Sequence, residues 1–185
     1  SAISKARQPA LRILFRDNHY IVIDKPAGML AVGKRSCESA LRKQLSLPEL
    51  VPVHRLDRET SGCLMFATST TALTQMIEEF REHRVIKVYH AIVEGHLPRE
   101  SFLIETPIKD KSARTRVRVL DTRRGASHVS VKIETGRTHQ IRVHLAEFGN
   151  PVAGDRRYHP DSQHRSNAKQ IEGIPRQMLH AQALR

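Results

Sequence analysis

The chain has 185 residues, with 31 Lys and Arg against 19 Asp and Glu, a formal charge of +12 and a pI near 10.4. That length allows one compact domain or two small lobes around a real core, and 39% hydrophobic residues in recurring periodicities exclude a disordered chain. Two cysteines, Cys37 and Cys63, without a Cys-x-x-Cys pair exclude a disulfide framework and a cysteine-rich zinc site, while the cationic excess suits RNA or DNA.

Residues 1–10 are polar, contain Pro9 and read as a flexible arm. Residues 11–15 form a short apolar run, 16–19 a turn, and 20–23 the second strand of a hairpin. Lys25-Pro26-Ala27-Gly28 breaks it. Gly28 and Gly33-Lys34 then imitate most of a phosphate-binding P-loop ahead of a helix over 38–45. Arg35, however, stands where the magnesium-binding Ser or Thr belongs, which argues against a nucleotide hydrolase. No apolar run approaches the ~20 residues of a membrane span, and residues 1–12 lack a signal-peptide core, so the expected location is cytoplasmic.

The polar density peaks at residues 53–62, where His54, Arg55, Asp57, Arg58, Glu59, Thr60 and Ser61 sit between apolar segments. Such a loop is costly to bury and reads as an active-site loop whose Asp57 is kept ionised by nearby guanidinium groups. The competing reading is a solvated turn with a surface ion pair. A strand over 63–67 follows, then a helix over 70–83 whose Leu73, Met76, Ile77 and Phe80 recur at helical spacing and predict a core stripe.

Residues 87–95 alternate Tyr89, Ala91 and Val93 against Val88, His90 and Ile92, apolar on both faces, as a central strand requires. Over 114–120, Arg114, Arg116 and Arg118 oppose Thr115, Val117 and Val119. That cationic face either tracks phosphates or is the solvated side of an outer strand. Val129, Val131 and Ile133 mark a half-buried strand. Residues 135–145 form a second polar cluster. Gly136 ends the strand, Thr138 is the expected N-cap, Ile141, Leu145 and Phe148 share a helical face beside Arg142, and Gly149 and Pro151 stop the helix. His139 and His144 do not have the i, i+4 spacing of a helical metal pair, and no metal site is expected. Residues 160–176 read as a surface loop. Strands interrupted by helices without βαβ alternation predict an α+β fold with a mainly antiparallel sheet.

His54-Arg55-Leu56-Asp57 followed by Thr60-Ser61-Gly62 resembles the signature of the RluA-type pseudouridine synthases, which isomerise uridine inside RNA. Asp24-Lys25-Pro26-Ala27-Gly28, the Lys87-x-Tyr89-x-Ala91-x-Val93-x-Gly95 strand, Thr135 to His144 continued by Gly154-Asp155 and Tyr158, and Leu179-His180-Ala181 resemble further motifs in the same order. The resemblance covers residues 11–185 and implies one catalytic domain with a central active-site cleft. Left open are a division into two sub-lobes and the absence of a C-terminal strand. No S4-type accessory domain is expected.

The same resemblance implies Asp57 as the catalytic acid, Arg142 as its ion-pair partner and Tyr89 against the uracil. His54, Arg55, Thr60, Arg137, His139, Gln140 and Leu179 are expected to contact the RNA, with Arg55 filling the space left by a flipped nucleotide. The implied substrate is a tRNA or rRNA stem-loop, handled by a monomer without cofactor, metal or obligate protein partner. The alternative is a non-catalytic RNA-binding or assembly module of the same fold.

Overall fold

Strand alternation puts Ile21, Ile23 and Lys25 of β2 (Tyr20–Lys25) on the same side as Leu64 and Phe66 of β4 (Ser61–Ala67), all fully buried. This antiparallel pair belongs to a single mixed sheet in the computed structural model, which describes residues 9–160 and 174–185. The N-terminal arm and the loop expected over 160–176 therefore lie largely outside the described residues. The sheet runs β1 (Arg12–Arg16), β2, β4, β9 (Leu179–Leu184), β5 (Lys87–Glu94), β8 (Ala126–Ile133), β7 (Thr115–Arg123) and β6 (Ser101–Ile104). The short β3 (Val51–Pro52) pairs with β4. Every pairing is antiparallel except β4 with β9, so the fold is α+β as expected.

β9 joins the two halves of the sheet, and the sequence pattern did not reveal it as a strand. Ser61 pairs with His180 and Gly62 with Ala181. Gly62 has φ +114, and a Cβ there would lie 2.2 Å from the Ala181 carbonyl oxygen, so this crossing requires glycine. Ser61 Oγ and His180 Nδ1 are hydrogen-bonded at 2.7 Å, fastening the same crossing from the side chains.

β5 is central, between β9 and β8. Its Tyr89, Ala91 and Val93 are buried, and Tyr89 shares a face with Val131 and Val117 through the β5–β8–β7 register. Arg118 is in register with Ser130 and His90, so the exposed Arg116 and Arg118 point away from Tyr89, on the opposite face.

α1 (Cys37–Leu45) begins with a capping box between Ser36 and Ser39 and buries Cys37 and Leu41. α2 (Thr70–Arg81) is capped by Ser69 but does not present the expected core stripe. Only Ala72 is buried, Leu73, Met76 and Phe80 are half-buried, and Ile77 is 47% exposed. The helix meets the sheet mainly at β4, and Tyr20 donates its hydroxyl to the Ala72 carbonyl (2.9 Å), so the N-terminal turn carries the packing. It also ends short of His83, which turns the chain with φ +55.

α3 (Gln140–Glu147) corrects a further expectation. Its N-cap is His139, not Thr138, and no side chain caps it. The Gln140 side chain reaches back instead, accepting the Arg137 N–H at 3.1 Å. His139 sits at φ +55, a left-handed conformation that non-glycine residues seldom adopt and that aims its ring at the loop carrying Asp57.

Candidate active site

The loop between β3 and β4 is fastened just after Asp57. Lys25, fully buried at the end of β2, donates its three ammonium hydrogens to the carbonyls of Pro26 (2.8 Å), Met29 (2.6 Å) and Arg58 (2.8 Å). Burial pulls its pKa down to about 8, so it remains mostly protonated at neutral pH, facing three carbonyl dipoles. Gly28 donates its N–H to the Arg58 carbonyl (2.8 Å), and Arg58 Nε returns a bond to the Gly28 carbonyl (2.9 Å). Two residues on, Thr60 donates its N–H to the Asp57 carbonyl (3.1 Å), and its hydroxyl accepts from Gln177 Nε2 (3.0 Å). The P-loop imitation is closed to phosphate, because the Gly33 N–H donates to the Glu38 carboxylate (3.1 Å).

Asp57 Oδ2 accepts from Arg142 Nη1 at 3.0 Å. The other side of the same guanidinium grips Asp155, through Nε to Oδ2 at 2.7 Å and Nη2 to Oδ1 at 3.0 Å. Asp155 is the buried partner, its side chain 1% exposed, and also accepts the backbone N–H groups of Arg157 (2.9 Å) and Tyr158 (3.1 Å). Burial opposes the charge on both residues. The two carboxylates nevertheless hold Arg142 above its ordinary pKa, and Arg142 with two backbone donors holds Asp155 below its own.

The Arg142 guanidinium lies 5.0 Å from the centre of the Tyr158 ring, and the Tyr158 hydroxyl is 2.6 Å from His139 Nδ1. Nε2 of that histidine lies 3.6 Å from Asp57 Oδ1. Burial lowers the His139 pKa despite the attraction of Asp57. A neutral ring protonated on Nε2 accepts from Tyr158 and turns its N–H toward Asp57. Asp57, Arg142, Asp155, Tyr158 and His139 thus form a closed ring of contacts.

The Asp57 side chain, 28% exposed, forms part of the wall of a cavity of about 650 Å³. All ten residues singled out from the sequence border it. Tyr89 is buried with its hydroxyl unpartnered among the described residues. No buried side-chain polar atom there lacks a partner, so this hydroxyl opens onto the cavity. Burial, then the charge of Asp57, raises its pKa. Leu179 lies at the start of β9, opposite Ala91. Arg55 is exposed and makes no hydrogen bond or ion pair with a described residue. Arg137 Nε donates to the Ser112 carbonyl (2.8 Å).

Gln140 uses its full amide capacity inside the protein. It accepts from Thr135 Oγ1 and Arg137 N–H and donates to the Arg114 carbonyl and Thr115 Oγ1. His54 stacks on Phe80, with ring centres 5.4 Å apart, and Nε2 accepts the Met65 N–H at 3.0 Å. Burial pushes its pKa down to about 4.

Sequence reasoning left Lys25, Asp155 and Tyr158 without roles, although all three fall inside motifs it noted. Their only local signals were a lysine at a strand end and an acid and a tyrosine after a glycine. No group of three or more His, Cys, Asp or Glu among the described residues is placed to hold a metal ion.

A family model described as RNA pseudouridylate synthase matches residues 19–147, which carry Asp57, Tyr89 and Arg142. The chain belongs to that family. The dual-specificity RNA pseudouridine synthase RluA of Yersinia pestis is 34% identical to this family member over 193 residues, spanning 93% of this chain and 90% of that protein. Ribosomal large subunit pseudouridine synthase D of Nitrosomonas europaea is 36% identical over 194 residues. Here 92% of this chain is matched but only 56% of the relative, so the chain spans little more than half of that relative's length. Among solved structures, human RNA Pseudouridylate Synthase Domain Containing 1 superposes with a TM-score of 0.80 at 28% identity, covering 95% of this chain and 78% of the human one.

Two consequences are measurable. Removing Asp155 strands a buried guanidinium, so Asp155→Ala should lower the unfolding free energy by ~3 kcal/mol. Asp57→Asn, at the half-exposed end, should cost less than ~1 kcal/mol in the same urea titrations; equal losses would contradict the division of roles. His54 must be neutral in the folded protein, whereas its ordinary pKa is 6.5. Its contribution is therefore complete above that value and is lost as pH falls toward 4, at up to ~1.4 kcal/mol per pH unit. Stability measured across this window should decline in the wild type and less steeply in His54→Gln; parallel curves would sink this assignment.

Proposed function

We propose that this family member is an RNA pseudouridine synthase acting on a uridine in a tRNA or rRNA stem-loop, with Asp57 as the catalytic acid. The observation that carries the reading is one carboxylate, paired to a single Arg142 nitrogen, in the wall of a cavity that also presents Tyr89 and Leu179. Breaking the bond between uracil N1 and the sugar C1′ develops positive charge at C1′, and a fixed carboxylate beside it offsets that charge. The base turns, C5 bonds to C1′, the C5 proton departs and N1 ends protonated. The atoms balance without water or cofactor. Glycoside hydrolases need a second acid to manage water and leaving group, whereas this isomerisation keeps its leaving group.

Arg142 holds Asp57 oriented through its Nη1. Tyr89 and Leu179 flank the uracil, and the Tyr89 hydroxyl, which no described residue engages, assists removal of the C5 proton. A paired uridine hides its sugar, so the nucleotide must be flipped out at a cost of a few kcal/mol. Arg55, which engages no described residue, is the side chain that fills the vacated stack. Thr60 and Gln140, whose polar groups are spent inside the protein, serve by holding the loop and helix. The +12 charge supplies the general attraction to RNA.

Pseudouridine mapping of total RNA in one null strain, complemented with wild type or with Asp57→Asn, tests the reading. A site modified only by wild type is the expected result. Identical maps, with RNA binding intact in both proteins, would instead favour a non-catalytic binding module.

A further inference from the structure

Asp57 borders a second cavity, of about 560 Å³. Arg55, Asp57, Arg137, His139 and Arg142 line both cavities and so form a shared wall. The two sides differ in chemistry. The first holds the buried Tyr89 and Leu179; the second is lined by Leu30, Ala31 and Val32, with Arg58 and Glu59 also in its wall.

Leu30 is 46% exposed, although it stands in the segment that leads from β2 into a well-capped helix. A lone exposed leucine is ordinary, but this one is held unusually firmly. The carbonyls of three consecutive residues are all engaged, Met29 by Lys25 Nζ (2.6 Å), Leu30 by the Cys37 N–H (2.8 Å) and Ala31 by the Glu38 N–H (3.1 Å). The result is a rigid apolar ledge beside guanidinium groups. That pairing suits an unpaired base, whose face is apolar and whose backbone is anionic.

Resting on the proposed isomerase reading, we infer that the Leu30–Val32 ledge is a second nucleotide subsite, receiving the unpaired base next to the target uridine. A target in the first cavity leaves its chain crossing the shared wall. The next phosphate then meets Arg137, and the next base lies on the ledge. A protein partner would need more surface than this recess of about 560 Å³ offers.

The test is site-directed crosslinking with the full chain. Leu30→Cys in a Cys63→Ser background carries a thiol-linked benzophenone, while Cys37 is buried and unlabelled. Lys34→Cys in the same background is the exposed control, outside both cavities. After irradiation with total RNA, the label at 30 should mark a nucleotide immediately beside a uridine that wild type converts, and the label at 34 should not. Leu30→Asp should weaken binding of that RNA by ~10-fold, while Leu30→Met stays within ~2-fold. A reproducible RNA crosslink with no pseudouridine beside it would keep the subsite and remove the isomerase reading. Crosslinks at 30 no more focused than at 34, crosslinks to protein alone, or a Leu30→Asp variant that binds like wild type would overturn the subsite.

Discussion

A single guanidinium shared between two carboxylates organises this structure. Arg142 gives Nε and Nη2 to Asp155 and leaves only Nη1 for Asp57. The asymmetry separates two tasks that one ion pair cannot combine. Asp155 is enclosed, fork-bound and further held by backbone N–H groups, so it fixes the arginine. Asp57 takes one bond and keeps an open side facing a cavity. Asp155, buried and accepting four hydrogen bonds, presents no such open face.

Much of the fold can be read as what this arrangement demands. Arg142 rises from α3, whose start is set by the Gln140 side chain instead of a hydroxyl cap, leaving His139 to turn toward Asp57. The loop carrying Asp57 is clasped by Lys25 before it and by Gln177 after it. Gly62 permits β9 to join the two sheet halves directly after that loop. Groups far apart in sequence are thereby brought together at the wall of one cavity.

The legible parts of the fold were those set by local periodicity. Alternation over β5 gave its central position, and the polar clusters around Asp57 and Arg142 stood out because polar density between apolar runs is costly. The stripe on α2 misled, because spacing shows which residues share a face but not whether that face is covered; Ile77 lies largely in solvent. β9 alternates Leu179 and Ala181 with His180 and Gln182, but its two alanines favour a strand only weakly, so its strand character comes from its neighbours β4 and β5. The pairing of Asp57 with Arg142 was implied by family resemblance, since no local rule links residues 85 positions apart. Asp155, although inside a motif, carried no role for the same reason. Its partner is visible only when the turn after α3 folds back beneath the arginine.

The most direct test of the shared guanidinium is single-turnover tritium release from carbon-5-labelled uridine RNA by Arg142→Lys. Lysine keeps the positive charge but cannot span both carboxylates with a fixed fork. The account predicts a loss of ~100-fold or more with RNA binding retained. Release within a few-fold of wild type would mean that charge alone suffices, and would contradict the bridging geometry.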